Sequence, residues 1–271
     1  MKPFLPAGYP FILLVACSTA LSQVREVTVE TFPGVKIFPA FHADALNHQI
    51  SLARVTDNRE WSGTIGGALP IVEVHASDAH FQAGVGVSTF NRLIKTPGHI
   101  TVYTIDYKVD FPVDVRLSSL ALRFALGHIS CHFADDGIEI LQRKSINSVK
   151  DYFTIASSYD LPVIGGYVYM AMQYAYHILP YPDKKWQVQA GLEGGNYALT
   201  SWAAVYGAVD IKVKEEVGWG STQSYQVGFK LFQKRNYGLR CAYTFRTGFD
   251  ERGQFFDQQV AENLLMLAID F

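Results

Sequence analysis

The chain has 271 residues, of which 49% are hydrophobic, 14% are aromatic and only 18% are charged. Its 23 lysine and arginine residues nearly balance 25 aspartate and glutamate residues, which leaves a net charge of −2. A chain without excess positive charge lacks the electrostatic surface that binds a phosphate backbone, so we predict no nucleic-acid partner.

The N-terminus has the pattern of an export signal. A cationic residue precedes an apolar run at 11–16, and small residues lead to a predicted cleavage after Ser22. Alternatively, the LVAC motif resembles the lipobox of bacterial lipoproteins, in which case Cys17 would be acylated. The other two cysteines, Cys131 and Cys241, are predicted to be free, buried thiols, because a disulfide-stabilised scaffold would contain many more.

Beyond the N-terminal segment, apolar residues recur at every second position, which is the period of a β-strand. The segment LPVIGGYVYMAMQYAYHIL, at 161–179, is long enough for a membrane helix. However, Pro162 and Gly165 are poor helix formers and the apolar residues alternate, so we predict a strand there as well. The alternating segments reach about 9 to 13 residues, the length that a tilted strand needs to cross a membrane.

This alternation predicts an all-β protein: a closed antiparallel transmembrane β-barrel of about twelve strands. Closure is required because lipid cannot satisfy an open sheet edge. Long outer loops are predicted to alternate with tight periplasmic turns, one of which is the DFP sequence at 110–112. The strands are predicted at residues 49–57, 68–76, 79–90, 99–109, 113–128, 149–158, 163–178, 185–194, 199–213, 222–232, 236–247 and 259–271.

The C-terminal sequence supports this architecture. Leu265, Leu267 and Ile269 share one face of an extended strand, and Phe271 ends that face. A terminal aromatic residue resembles the signal that the barrel-insertion machinery reads, so this machinery is a predicted partner, together with the lipids of the outer membrane. The predicted organisation is a signal peptide at 1–22, a periplasmic or lumenal segment at 23–48, and a barrel at 49–271 in the bacterial outer membrane.

The stretch GHISCH carries the residues richest in potential chemistry. His128, Ser130 and His132 lie on one side of a strand, and the apolar residues before them continue the same face. They are therefore predicted to point outward at the rim of the membrane. His128 and His132 would be about 13 Å apart, too far to share a zinc ion, so we predict no metal or cofactor.

A histidine two residues before a serine on an outer barrel surface resembles the outer-membrane phospholipase and lipid A deacylase families. The resemblance implies that Ser130 attacks acyl esters with His128 as its base, and that Asp135, Asp136 or Glu139 holds the imidazole. The Ser-Asn-Gly run of the phospholipase is absent. The simpler interpretation, which we favour, is that these are polar residues of the membrane interface without catalytic function.

Charged residues within the alternating segments are expected to face the lumen, because a cation facing the bilayer centre costs ~2 to 4 kcal/mol. They either pair and plug the barrel, which we favour, or line a narrow channel for a small solute. The predicted lumenal residues are Arg123, Glu193, Lys230, Arg240 and Arg246.

Two stretches together resemble one bacterial family. FPAFHADALNHQISL and GHISCHFADD are similar to the ADPRE and GHxSSHxGDE stretches of the family catalogued as domain of unknown function number 1207. The chain departs from them at Ala45, Leu46 and Cys131. The resemblance implies a barrel-like fold without an assigned activity. We therefore predict an outer-membrane barrel that acts as a narrow channel or a surface or structural protein, with lipid acyl hydrolysis as the alternative.

Overall fold

The computed structural model describes residues 27–234 and 237–271. The predicted signal peptide and Cys17 lie outside these residues. Within the described part of the chain, no helix has both the length and the hydrophobicity to span a membrane.

Most described residues belong to one sheet of 13 strands. The strands are β1 Val27–Thr31, β2 Ile50–Val55, β3 Glu60–Ala76, β4 Ala79–Thr96, β5 His99–Leu117, β6 Leu120–Phe133, β7 Ser148–Leu161, β8 Gly166–Leu179, β9 Trp186–Thr200, β10 Ala203–Lys214, β11 Gly220–Lys234, β12 Tyr237–Phe249 and β13 Gln259–Asp270. A short helix, α1, spans Asp135–Leu141, and single 3-10 turns span Pro162–Ile164 and Glu215–Val217.

Strands β2 to β13 form a closed antiparallel barrel. Each pairs with its neighbours in sequence, and β13 closes the cylinder on β2 through the register Leu264↔Val55 to Ile269↔Ile50. The predicted twelve-stranded closed barrel is confirmed. The remaining strand, β1, pairs with the end of β3 that β2 leaves unpaired, from Val27↔Ala76 to Thr31↔Val72.

The outer surface of the barrel is apolar. On β6, for example, Leu122, Phe124 and Leu126 are exposed, while Ala121 and Ala125 are buried inside the barrel. Large apolar side chains are exposed on the barrel strands to an extent that soluble proteins rarely show. This surface matches the hydrocarbon of a bilayer, and the protein is a transmembrane barrel of the outer membrane.

The two ends of the barrel differ in their connections: the longest loops lie at one end, where only the connection at 97–98 is a two-residue turn. The connections at 77–78, 118–119 and 201–202 are two-residue turns, whereas those at 134–147 and 250–258 are long. In outer-membrane barrels the short turns face the periplasm. We therefore call the end with these turns the periplasmic end and the other the outer end.

Two predicted outer loops are largely strand. Most of 57–67 and 91–98 extends β3 and β4, as the pairs Gly63↔Asn91 and Ile65↔Thr89 show. The outward face there still includes the exposed Ile65, but glycine at positions 63 and 67 interrupts the apolar alternation. Backbone pairing thus continues where the apolar alternation is interrupted, so the alternation alone predicted strands that are too short at their outer ends.

The predicted turn at 110–112 is wrong. Strand β5 continues through Pro112, which lies opposite Ala125, and the turn falls at Ser118 and Ser119 instead. Because proline has no N–H to donate, the ladder between β4 and β5 is interrupted beside Pro112 without ending the strand. Ser118 adopts the left-handed conformation of a tight turn, with φ of 53°.

The two cysteines in the described part of the chain differ in their environment. Both are free thiols. Cys131 is buried as predicted, whereas Cys241 is partly exposed, so its predicted burial is wrong. Cys241 lies on the outward face of β12 between Leu239 and Tyr243, where lipid rather than protein surrounds it.

Candidate functional site

Residues 32–49, which we call the plug, lead from β1 into the barrel and fill part of its lumen. Phe41 stacks on Tyr169 of β8 with ring centroids 3.6 Å apart. Phe38 is 2% exposed and lies beneath the guanidinium of Arg123, 4.2 Å from the ring centroid. These aromatic contacts seat the plug against the wall of the lumen.

The plug also makes polar contacts at the periplasmic end. His42 donates from Nδ1 to Glu193, whose other oxygen accepts a 2.6 Å bond from Lys230. Burial lowers the pKa of His42 and outweighs the opposing effect of Glu193. Gln49, at the end of the plug, accepts a 2.8 Å bond from Arg240. The plug is thus joined to strands β9, β11 and β12.

His48 joins the plug to the opposite wall. Its Nε2 lies 2.7 Å from Asp110 on β5, and its Nδ1 lies 2.8 Å from the Ser88 hydroxyl on β4. Burial and the neighbouring Lys108 lower the pKa of His48. Lys108 also donates a 3.0 Å bond to the carbonyl of Leu46. Strands on both sides of the lumen therefore hold this one segment.

An ion cluster links the plug to a loop from the outer end. Lys212 of β10 donates to Asp44 of the plug and, at 2.7 Å, to Glu251 of the loop 250–258. Burial would raise the pKa of Asp44, but Lys212 and Lys108 outweigh it and lower that pKa. Burial would likewise raise the pKa of Glu251, but the charges of Lys212 and Lys214 outweigh burial and lower that pKa. Each carboxylate is therefore held charged inside the barrel.

The loop 250–258, which we call the outer loop, folds into the mouth of the barrel. Gly253 donates its N–H to Asp106 at 3.1 Å, and an added Cβ at this glycine would lie 2.1 Å from the Cys131 sulfur. Gln254 is 1% exposed and donates to the carbonyl of Cys131 at 2.7 Å. The glycine permits a close approach that any side chain would prevent.

A cavity of about 150 Å³ lies between the plug and the outer loop. Its charged lining includes both signs, and most members are paired with one another. They are Asp44, Lys108, Asp110, Arg123, Lys150, Lys212, Lys214, Glu216 and Glu251. The lumen therefore contains a chamber lined by paired charges, with the plug on one side and the outer loop on the other.

The structure places the five residues predicted to line the lumen on its inward face. Arg123 forms a two-bond pair with Asp114, at 2.7 and 2.8 Å. Arg240 is fully buried and donates at 2.7 Å to Asp270. Arg246 donates at 3.2 Å to the hydroxyl of Ser224 on the neighbouring strand. The remaining two, Glu193 and Lys230, pair with each other.

A second cluster lies on the lipid-facing surface, near the outer ends of β6, β7 and β8. His128 donates from Nδ1 to Asp151 at 2.6 Å, and His177 donates from Nδ1 to the other oxygen of Asp151 at 2.8 Å. The three residues are cross-strand neighbours in register. Because both histidines donate from Nδ1, each leaves its Nε2 available as an acceptor.

Of the other residues predicted at this surface, two lie on the same strand as His128, and Asp135 lies outside the cluster. Ser130 is half-buried on the outward face of β6, beside Val149 in register. The ring of His132 lies 5.9 Å from that of Tyr107. Asp135 begins helix α1, and the carboxylate that accepts from His128 is Asp151. Asp151 lies 23 residues away from His128 in sequence, so only the strand register brings it there.

The plug residues that contact the wall were also not singled out from the sequence. His42, Asp44 and His48 lie in a segment without strand alternation and with two prolines, Pro33 and Pro39. The available signal was the density of ionisable residues in a stretch otherwise suited to a loop. That signal does not identify partners on distant strands.

Three solved structures share the outline of the chain at very low sequence identity. OmpT, an outer membrane protein of Vibrio cholerae, matches with 7% identity and a TM-score of 0.37, and the match covers 92% of this chain and 99% of the OmpT chain. The anion-selective porin of Comamonas acidovorans matches with 9% identity, 90% and 98% coverage, and a TM-score of 0.37. OprD of Pseudomonas aeruginosa matches with 12% identity, 88% and 71% coverage, and a TM-score of 0.32.

No curated protein matches the chain. One family model does, and it covers residues 29–269, which include β13 and nearly the whole described N-terminal region. The match therefore extends over the plug, the barrel and the outer loop. The chain belongs to the family described as protein of unknown function (DUF1207).

Proposed function

We propose that this protein is a gated narrow channel for small polar solutes, closed at rest by the plug and the outer loop. The observation that carries the proposal is the charged chamber between these two segments, inside a barrel that already crosses the membrane. Rings of charged side chains are the means by which channels select solutes. A chamber of about 150 Å³ admits only small molecules.

The contacts of the plug favour gating over permanent closure. Beside the apolar contacts of Phe38 and Phe41, the plug is held by the polar contacts of His42 with Glu193, Asp44 with Lys212 and His48 with Asp110. Each such contact is exchanged for water when the plug moves, so its net contribution is ~0.5 to 1.5 kcal/mol, or ~1.5 to 3 kcal/mol where a charge takes part. The polar part of this attachment can therefore be exchanged for water at a modest cost, and the apolar contacts with the wall form separate small clusters rather than one continuous core.

Single-channel recording in planar bilayers tests the proposal. The wild type is expected to remain mostly closed, and the double variant His42→Gln, Asp44→Asn is expected to open more often. Asp57→Asn is the matched control, because Asp57 lies on an exposed connection at the outer end and contacts no plug residue. A folded double variant that opens as rarely as the wild type would contradict gating by the plug.

The path of the current is tested separately. Arg240→Ala and Arg246→Ala remove charge from the periplasmic and outer parts of the lumen, and both are expected to change conductance and ion selectivity. Openings that are insensitive to both substitutions would show that the current does not pass through the lumen.

Lipid acyl hydrolysis is the second candidate, and the contact between His128 and Asp151 favours it. Asp151 holds Nδ1–H of His128, so Nε2 can accept the proton of the Ser130 hydroxyl as that oxygen attacks an ester carbonyl. The protonated imidazole then returns the proton to the leaving alcohol, and water, activated by the same imidazole, hydrolyses the acyl ester of Ser130 to release the fatty acid. The residues lie near the outer ends of their strands, at the interface where the ester groups of lipids are found.

Release of fatty acid from outer-membrane lipid by the purified protein tests this candidate. Ser130→Ala is expected to abolish release, and Asp151→Asn to reduce it by ~10²- to 10⁴-fold because the base, His128, is no longer held in the correct orientation. Ser157→Ala is the control, since Ser157 occupies the same face farther along the barrel, opposite Leu122. Equal release by wild type and Ser130→Ala would eliminate this chemistry.

A further inference from the structure

Glu73, His75 and His80 form a compact cluster at the periplasmic end of the barrel. Glu73 and His75 lie near the end of β3, and His80 lies directly opposite His75 at the start of β4. The two-residue turn that joins the strands begins at Ser77, which has φ of 54°. The hairpin register therefore fixes the three side chains on one face.

This face points into the lumen. Glu73 is buried, and so is Gln82, its partner in register, whereas Phe81 on the alternate face is exposed. Gln82 also contacts the plug: it donates to the carbonyl of Val35 at 2.8 Å and accepts from the N–H of Ile37 at 3.3 Å. The cluster therefore adjoins the beginning of the plug.

The three side chains are spaced as metal ligands. Oε1 of Glu73 lies 3.1 Å from Nδ1 of His80 and 3.2 Å from Nε2 of His75, and the three ligand atoms all lie within 4.8 Å of one another. Ligand atoms on a tetrahedral ion with ~2.0 Å bonds are ~3.3 Å apart, so small rotations of the rings suffice. Two imidazoles and one carboxylate suit a divalent transition metal and leave positions open for further ligands.

The surroundings support such a site. Gln82 donates at 2.8 Å to Oε2 of Glu73, which leaves Oε1 directed at the histidines. A hydrogen bond of this kind orients a metal-ligating carboxylate. Both histidines remain partly exposed, with 34% and 40% of their side-chain surface accessible, so an ion can enter from the periplasm. Glu30 of β1 lies opposite Glu73 in register and is exposed, which makes it a candidate fourth ligand.

We infer that Glu73, His75 and His80 bind one divalent transition-metal ion of the zinc class at the periplasmic mouth. The ion joins β3 to β4 and, through Glu30, to β1, and so fastens the strand from which the plug begins. The sequence did not indicate this site because its ligands come from two strands and straddle a turn. Only the hairpin register shows that His75 and His80 face each other.

Zn²⁺ titration of the full mature chain tests the inference. The protein is refolded in detergent without a polyhistidine tag, and binding is followed by calorimetry, with the Co²⁺ absorption spectrum reporting coordination geometry. One ion per chain is expected. The variant His75→Gln, His80→Gln is expected to weaken binding by more than the ~10- to 100-fold that loss of an outer-shell partner costs.

Two further variants keep the result interpretable. His99→Gln is the matched control at the outer end and is expected to bind as the wild type does. His128→Gln, His177→Gln removes the other histidine pair, on the lipid-facing surface, and is also expected to leave binding unchanged. Retained binding in His75→Gln, His80→Gln, or loss of binding in His128→Gln, His177→Gln, would overturn the assignment. Refolding is checked for every variant by its heat-dependent shift in gel electrophoresis.

Discussion

Lys212→Met should destabilise the barrel by breaking the ion cluster inside it. Lys212 has 3% of its side-chain surface exposed and bonds both Asp44, which is 11% exposed, and Glu251, which is 6% exposed. Removing one member of a buried ion pair costs ~3 to 5 kcal/mol, because a charge remains without compensation.

The remaining contacts place the expected loss at the lower end of that range. Glu251 keeps Lys214 at 3.4 Å. Asp44 keeps the N–H of Leu46 at 2.8 Å and the amide of Gln189 at 3.2 Å. We therefore expect Lys212→Met to lower the free energy of unfolding by ~3 kcal/mol.

Reversible urea unfolding in lipid vesicles, followed by tryptophan fluorescence, measures this change. The triple variant Lys212→Met, Asp44→Asn, Glu251→Gln removes the stranded charges and should recover most of the loss. Lys234→Met, at an exposed strand end, is the control and should change stability by no more than ~0.5 kcal/mol. A decrease of less than ~1 kcal/mol in the free energy of unfolding of the single variant would contradict this prediction. A triple variant that is no more stable than the single variant would also contradict it.

Three further predictions concern the lipid-facing surface, the C-terminus and the plug. Leu265→Arg places a cation on the lipid face halfway along β13, where Leu265 is 56% exposed, and should cost ~2 to 4 kcal/mol in urea unfolding. Gly67→Ala puts a Cβ 2.3 Å from the ring of Phe271, so the ring must move, and we expect slower insertion into vesicles by gel-shift assay. The lowered pKa values of His42 and His48 mean that the stability they contribute is complete above about pH 6.5 and is lost as pH falls towards their folded-state values. Limited proteolysis should therefore cut the plug faster on acidification below about pH 6.5, and a rate independent of pH would contradict this.

The parity of side chains was predictable from sequence, and the pairing of strands across the barrel was not. Leu122, Phe124 and Leu126 are separated by one residue each, so their common outward face follows from local geometry alone. The bond between His128 and Asp151 depends on the register of β6 against β7, which a single sequence does not contain. The same limitation concealed the cluster at the end of the β3 and β4 hairpin.

Strand ends and turns were predicted less well than the strands themselves. Pro112 suggested a turn, yet it lies within β5, because its missing N–H interrupts only the ladder to β4 and leaves the pairing with β6 in place. Glycines also interrupt the apolar alternation near the outer end of β3, and both β3 and β4 extend beyond their predicted limits. Both errors arise because the hydrophobic pattern reflects which side chains face lipid, whereas backbone hydrogen bonding determines where a strand ends.

The sequence by itself determined that this protein is a closed barrel with an apolar exterior, since lipid imposes a period of two on every strand that crosses it. The tertiary structure decided what fills the lumen. The plug has no periodic pattern, and its place is set by single contacts such as those of His42 with Glu193 and Asp44 with Lys212. These contacts join residues more than a hundred positions apart, and only the folded chain brings them within bonding distance.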